Sequence, residues 1–143
     1  MVKNVGNSEH YRWGEICDGW RLVSGPDLSV IQERIPPGAG EVKHYHQRAR
    51  QCFFVLSGQL DIEVDEQTVR ISPGDALEVA PGKPHRVRNL GEADATFLVV
   101  SARPEAEGAA NAVPVIAVTK RGTNIAASRL RTMSSLLLAS RPG

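Results

Sequence analysis

Three histidines and one glutamine have the residue types and the spacing of a metal site. His44 and His46 are two residues apart, Gln51 follows shortly after them, and His85 lies in a second segment rich in glycine and proline. Side chains two apart on a β-strand project from the same face, with backbones about 6.6 Å apart, so both imidazoles can reach one ion. A glutamine carbonyl oxygen can also coordinate an ion, although it carries no charge. We therefore predict one divalent metal ion held by His44, His46 and His85.

These ligands lie in two glycine-framed segments, 38–58 and 74–89, which resemble the two sequence motifs of the cupin superfamily. The positions that match the first motif are Gly38, His44, His46, position 51 and Gly58. The positions that match the second motif are Gly74, Gly82, His85 and Asn89. The chain departs from the family pattern at Ala80, where the proline is displaced to Pro81, and at Gln51, where the family usually has glutamate. The resemblance implies a small jelly-roll barrel with a metal near its open end. It also implies that Gln51, at the position of the family's glutamate ligand, is the fourth ligand beside His44, His46 and His85.

The neutral ligand set has a chemical consequence. Three imidazoles and an amide leave a divalent ion with its full charge, whereas a glutamate ligand would lower it. Such an ion is a stronger Lewis acid, able to polarise a carbonyl, stabilise an enolate or lower the pKa of bound water. Nitrogen-rich ligation suits iron, manganese, nickel, zinc or copper, and the ligand types alone do not choose among these metals.

The composition indicates one ordinary globular domain. The chain has 143 residues, 41% hydrophobic and 23% charged, and its formal net charge of +1 gives no general field for nucleic acid. Cys17 and Cys52 do not make a disulfide framework. There is no positively charged start with an apolar h-region, and no apolar run approaches eighteen residues. We expect a cytoplasmic protein with free thiols that binds neither nucleic acid nor membrane.

Turn-punctuated short strands across residues 1–103 predict an all-β barrel. The strand LSVIQERI ends at two prolines, and its alternation leaves two interpretations open. If Arg34 faces the barrel lumen, it could clamp a substrate carboxylate; if Glu33 does, it could serve as a base. In QLDIEV, the period-two pattern places Leu60, Ile62 and Val64 on one face and leaves Asp61, Glu63 and Asp65 on a solvated face.

Residues 104–143 are predicted to form an extension that the resemblance does not cover. Its AVPVIAV stretch is a candidate strand, and the segment from Asn124 to Ser140 has apolar residues at helical spacing, namely Ala126, Leu130, Met133 and Leu137. A short helix that packs on the barrel or on a second subunit is one expectation, and a tail without fixed structure is the other. Spare apolar residues in Trp13, Trp20 and the 125–138 segment predict a homodimer.

The site, and not the fold, has to decide the function. We expect a metal-dependent enzyme that acts on a small carbonyl, enol or carboxylate compound in isomerase, tautomerase or lyase chemistry. A non-heme iron dioxygenase on a similar chelating substrate is a close alternative. A non-catalytic cupin that binds or senses a small molecule is the alternative from another class, and a metal-free structural relative is the remaining one.

Overall fold

The computed structural model describes residues 1–105 and three short strands further on, at 111–112, 117–118 and 124–125. The described residues form strands and turns, and none of them lies in a helix, so no helix there could cross a membrane. The strands are β1 (Glu9–Trp13), β2 (Cys17–Ser24), β3 (Leu28–Ile35), β4 (His44–Tyr45), β5 (Arg50–Ser57), β6 (Leu60–Val64), β7 (Gln67–Ile71), β8 (Ala76–Val79), β9 (His85–Arg88), β10 (Ala95–Ala102), β11 (Asn111–Ala112), β12 (Ala117–Val118) and β13 (Asn124–Ile125).

The strands build two main antiparallel sheets. One has six strands in the order β1-β2-β3-β10-β5-β8, and the other has five in the order β11-β4-β9-β6-β7. Strands distant in sequence are neighbours in both sheets, as when β10 lies between β3 and β5. This arrangement confirms the predicted all-β jelly roll, in which the inner faces of the two sheets enclose the core.

The core follows the period-two alternation of the strands. In β10, Ala95, Phe97 and Val99 are buried, whereas the residues between them are only partly buried. Phe97 and Phe53 pack in the interior with ring centroids 6.3 Å apart, and Trp13 joins the same buried cluster. Trp13, which the sequence analysis counted among the spare apolar residues, is therefore a core residue.

Strand β6 differs from its predicted half-solvated pattern at one residue. Asp61 is 2% exposed, because its carboxylate accepts hydrogen bonds from Arg70 Nε at 2.8 Å and from the Leu90 backbone N–H at 2.8 Å. The neighbouring strand β7 and the loop after β9 thus cover Asp61, which the sequence pattern assigns to the solvated face. The prediction of a solvated Asp61 was wrong, since a buried carboxylate is tolerated when such donors surround it.

The predicted extension is described only at three short strands. β11 pairs with β4, so the chain beyond the barrel returns to the strand that carries His44. β12 pairs with β13, which places part of the predicted AVPVIAV strand in a separate two-stranded ladder. The predicted helix lies outside the described residues, except for Asn124 and Ile125, which are the strand β13.

Candidate metal centre

Two neighbouring strands bring the predicted histidines together. β4 pairs with β9 at the opposed residues His44 and His85, and His46 follows directly after β4. Gly82, in the turn before β9, has a φ of 78° and donates its N–H to the His46 carbonyl oxygen at 2.7 Å. A residue with a side chain is disfavoured at such a positive φ, so glycine suits the turn that fastens the two motifs to each other.

The three imidazoles converge on one small volume. Their ligand atoms all lie within 4.8 Å of one another, and ring centroids are 4.6 Å apart for His44 and His85. His44 and His85 are 2% and 1% exposed, while the side chain of His46 is 15% exposed. Access to the cluster from solvent is therefore from the His46 side.

Backbone carbonyls fix the orientation of two of the rings. His44 Nδ1 lies 2.7 Å from the Val42 carbonyl oxygen, and His85 Nδ1 lies 2.8 Å from the Lys83 carbonyl oxygen. A carbonyl oxygen only accepts, so each Nδ1 carries a proton and Nε2 is the nitrogen left to bind an ion. Partners of this kind hold the ring and the tautomer of a metal-binding histidine.

Gln51 adds a fourth lone pair to the cluster. It is 6% exposed, its Nε2 donates to Ser101 Oγ at 3.1 Å, and its Oε1 lies 3.1 Å from His85 Nε2. With the His85 proton on Nδ1, the carbonyl oxygen and the imidazole lone pair face each other. When Nε2 carries no proton, these two acceptors can share one cation, so the donor set fits a metal ion.

Two glutamates whose side chains are only 3% and 9% exposed, Glu41 and Glu105, border the cluster, and the sequence analysis missed both. Glu41, three residues before His44, has Oε1 3.9 Å from His44 Nε2. Glu105, just after β10, has Oε2 3.7 Å from His46 Nδ1, and its other oxygen accepts from the Arg48 backbone N–H. The presence of a glutamate inside the first motif was a usable signal for Glu41, whereas nothing in the sequence places Glu105 here.

The predicted candidates Glu33 and Arg34 lie away from the histidines. Glu33 faces the interior at 1% exposure, and its cross-strand row passes through Phe97 to Val55. Val55 is four residues beyond Gln51 on β5, a distance of about 13 Å along the strand. The lumen-facing alternation is therefore the one that contains Glu33, but this carboxylate is deep in the barrel and remote from the candidate ligands.

Arg34 lies on the outer face of the six-stranded sheet, within a charged network. Its guanidinium donates to Asp18 Oδ2 from Nη2 at 2.6 Å and from Nε at 2.9 Å, and to Asp94 Oδ2 from Nη1 at 3.0 Å. These carboxylate partners raise the pKa of Arg34, the Asp18 hydrogen bonds most of all. The guanidinium is thus engaged in linking strands and does not line the lumen.

Residues 31–101 match the family described as the cupin domain. This segment of the chain is similar to a cupin domain. The chain is 34% identical over 88 residues to quercetin 2,3-dioxygenase of Bacillus subtilis (strain 168), which covers 52% of this chain and 26% of that protein. Matches to this and three other curated relatives span between 26% and 66% of the relatives' own lengths.

Solved structures show the same cupin fold. The structure of KdgF from Halomonas sp. superposes with a TM-score of 0.68 at 21% identity, covering 74% of this chain and 96% of that one. A sugar phosphate isomerase from a cupin superfamily, from Silicibacter pomeroyi, superposes with a TM-score of 0.66 at 24% identity, covering 73% and 76%. The superpositions extend the fold assignment to nearly the whole of the described barrel.

Proposed function

We propose that this cupin is an enzyme that uses one divalent metal ion as a Lewis acid on a small oxygenated substrate. The substrate would carry a carbonyl, enol or carboxylate group, and the reaction would be an isomerisation, a tautomerisation or a lyase reaction. The observation that carries this proposal is the convergence of three imidazoles with the Gln51 carbonyl oxygen opposite His85 Nε2 at 3.1 Å. We assign the ligand role to His44, His46, Gln51 and His85.

The chain's own residues perform two tasks in this proposal. The Val42 and Lys83 carbonyls hold the His44 and His85 rings, so the lone pairs are arranged before any ligand arrives. The partial exposure of His46 gives a small molecule an approach to the centre, while the buried Phe53 beside His85 helps to exclude water from the other side. His44, His46, Gln51 and His85 would hold an ion of iron, manganese, nickel, zinc or copper, which would supply the polarisation of a carbonyl or enol oxygen.

The second candidate function is a non-heme iron dioxygenase on a chelating substrate. The similarity to a quercetin 2,3-dioxygenase favours it, although the matched segment covers only 26% of that protein. Oxygen uptake separates the two reactions, because isomerisation and lyase chemistry consume no oxygen. A cupin that binds its ligand without turnover is the non-enzymatic alternative, and ligand binding with no product in either assay would indicate it.

We also propose that the protein is a homodimer in the cytoplasm. The outer face of the six-stranded sheet carries the half-buried apolar side chains of Trp20, Phe54 and Leu98 in one cross-strand row, interrupted by Gln32. An apolar row of this kind suits burial against a second copy. Light scattering should give twice the chain mass of 15.5 kDa at micromolar concentration. A single-chain mass would refute the dimer.

The metal content of three purified proteins tests the site. Wild type should contain about one divalent ion per chain after exposure to the metal, and His85→Ala should lose most of it. The matched control is His10→Ala, because His10 lies on β1 outside both motifs and contacts Asp18 at 2.7 Å instead of the cluster. Equal metal content in wild type and His85→Ala would refute the ligand assignment.

The reaction is tested on the metal-loaded wild type. Small hydroxy-ketones and keto acids are incubated in D2O, and carbon-bound deuterium is followed by NMR while dissolved oxygen is monitored. Deuterium incorporation or isomerised product without oxygen uptake supports the Lewis-acid function. Oxygen uptake that depends on substrate and iron would replace it with the dioxygenase.

A further inference from the structure

Glu41 is a buried carboxylate beside the metal centre that has no role in the ligand set. Its side chain is 3% exposed, and Oε1 lies 3.9 Å from Nε2 of His44, which is the lone-pair nitrogen of that ring. Among the described residues, the group of ligand atoms within 4.8 Å of one another contains the three histidines and not Glu41. The carboxylate is therefore a neighbour of the candidate ion position and not one of the grouped ligands.

Val87 on β9 holds both the backbone and the side chain of Glu41 through hydrogen bonds. The Glu41 backbone N–H donates to the Val87 carbonyl oxygen at 2.9 Å, and the Val87 N–H donates to Glu41 Oε1 at 3.2 Å. The preceding residue, Gly40, is so close to β9 that an added Cβ would lie 2.7 Å from the Val87 carbonyl oxygen. The Glu41 side chain thus accepts the Val87 N–H in place of a ladder hydrogen bond, and this bond holds the carboxyl group inside the protein.

The electrostatics of the centre call for such a charge. Burying a carboxylate is costly unless positive charge or hydrogen bonds compensate it, and a divalent ion held by neutral ligands is costly to bury for the same reason. Position 51, where the resemblance to the cupin motif leads one to expect glutamate, is a neutral glutamine in this chain. Glu41 and an ion at His44 Nε2 would offset each other's burial within a few ångströms.

We propose that Glu41 is the anionic partner of the metal centre and supplies, from outside the ligand group, the negative charge that Gln51 lacks. This deepens the proposed function and rests on its metal-binding part alone. It predicts that metal affinity depends on the charge of Glu41, and that a charge placed at position 51 can substitute for it.

The test is a charge-exchange series measured as metal affinity. Glu41→Gln removes the charge but retains an oxygen that can accept the Val87 N–H. The control is Glu63→Gln on β6, because the Glu63 side chain is 14% exposed and pairs with Lys43 and Arg86. Side chains alternate along a strand, so Arg86 points away from the face that carries His85. Affinities for Zn²⁺ and Ni²⁺ are obtained by chelator competition at one pH, with circular dichroism recorded for every variant.

We expect Glu41→Gln to weaken metal binding by about 10-fold or more and Glu63→Gln to leave it unchanged. The double variant Glu41→Gln, Gln51→Glu should recover most of the lost affinity. Affinity in Glu41→Gln within twofold of wild type, with native circular dichroism, would overturn the proposal and leave Glu41 as a structural partner of Val87. Failure of the double variant to recover would also overturn it, because the effect would then not be one of charge.

Two further outcomes are decided by the same series. If Glu41→Gln does not fold, Glu41→Asp takes its place, since it retains the charge but withdraws it from His44 by one methylene; unchanged affinity there would overturn the proposal. The Glu41 series measures metal affinity and does not depend on turnover. A wild type that binds metal but is inactive in the assays of the proposed function would therefore refute the enzyme function and leave the Glu41 comparison intact. A wild type that binds neither metal would refute both.

Discussion

Arg34 offers a substitution that separates a structural role from a catalytic one. Its guanidinium makes two hydrogen bonds to Asp18, at 2.6 and 2.9 Å, and one to Asp94 at 3.0 Å. Bonds to charged groups contribute about 1.5–3 kcal/mol each, but Arg34 is 31% exposed and solvent screens the network. We expect Arg34→Gln to lower the free energy of unfolding by about 2–3 kcal/mol in total. Urea denaturation at pH 7 measures it.

The pH dependence of that loss has a definite sign. Burial works to raise the pKa of Asp18, but the hydrogen bonds from His10 and Arg34 outweigh burial and hold this pKa below its usual value. A depressed carboxyl pKa contributes stability that is fully present above the unfolded-state pKa of about 3.9 and is lost as the pH falls through the folded-state value. The stability difference between wild type and Arg34→Gln should therefore be largest near neutral pH and should shrink below about pH 4.

The control and the refuting result follow from the same network. Arg12 also approaches Asp18, at 3.8 Å, but its side chain is 67% exposed, so Arg12→Gln should change stability by less than about 0.5 kcal/mol. Metal affinity and turnover should be unchanged in Arg34→Gln at a temperature where it is folded. Intact stability together with lost turnover or ligand binding would refute this reasoning and restore Arg34 as a substrate clamp.

Three further predictions concern the centre and one turn. Gln51→Glu should hold metal more tightly in a chelator competition yet turn over more slowly, because a charged ligand lowers the Lewis acidity of the ion; no change in either would make Gln51 a packing residue. Glu105→Gln should weaken metal retention by up to about 10-fold, since the carboxylate lies 3.7 Å from His46 Nδ1, and equal retention would contradict this. Gly58→Ala should lower the free energy of unfolding by more than about 2 kcal/mol, because its Cβ would lie 2.1 Å from a backbone oxygen at a φ of 71°. Gly74→Ala, with φ of 88° and no atom within 4 Å, should cost only the strain of about 1 kcal/mol in the same melts.

Much of the barrel was predictable because its strands are punctuated and periodic. The strand predicted over LSVIQERI ends at Ile35, where two prolines remove the N–H groups needed to continue a ladder. The alternation of apolar residues is also regular in β10, where every second residue from Ala95 to Ser101 is buried. Which face of β3 points inward was not predictable, because apolar residues occur on both. The inward face is set by the pairing of Glu33 with Gly19 on β2 and with Phe97 on β10. Sequence periodicity alone does not predict which residues pair across a sheet.

The histidines were predictable and the carboxylates around them were not. A strand fixes the direction of a side chain, so the spacing of His44 and His46 implies a shared face. Glu41 and Glu105 lie in irregular segments, where no period states which way a side chain points. The burial of Asp61 had a similar cause, since the covering groups are Arg70 on the next strand and the backbone of Leu90.

The location of the negative charge decides how the centre can work. A glutamate at position 51 would donate a lone pair to the ion, which raises affinity but lowers the polarising power in the same step. A carboxylate at Glu41, 3.9 Å from His44 Nε2, can attract the ion through space while the ligands remain neutral. Glu41 then sets the metal affinity, while the neutral ligands, including Gln51, preserve the Lewis acidity of the ion. We expect Glu41→Gln to lose metal while turnover per bound ion stays within a few fold of wild type, and Gln51→Glu to show the opposite pattern. Turnover per bound ion that falls equally in both variants would show that the two charges act through the same contact.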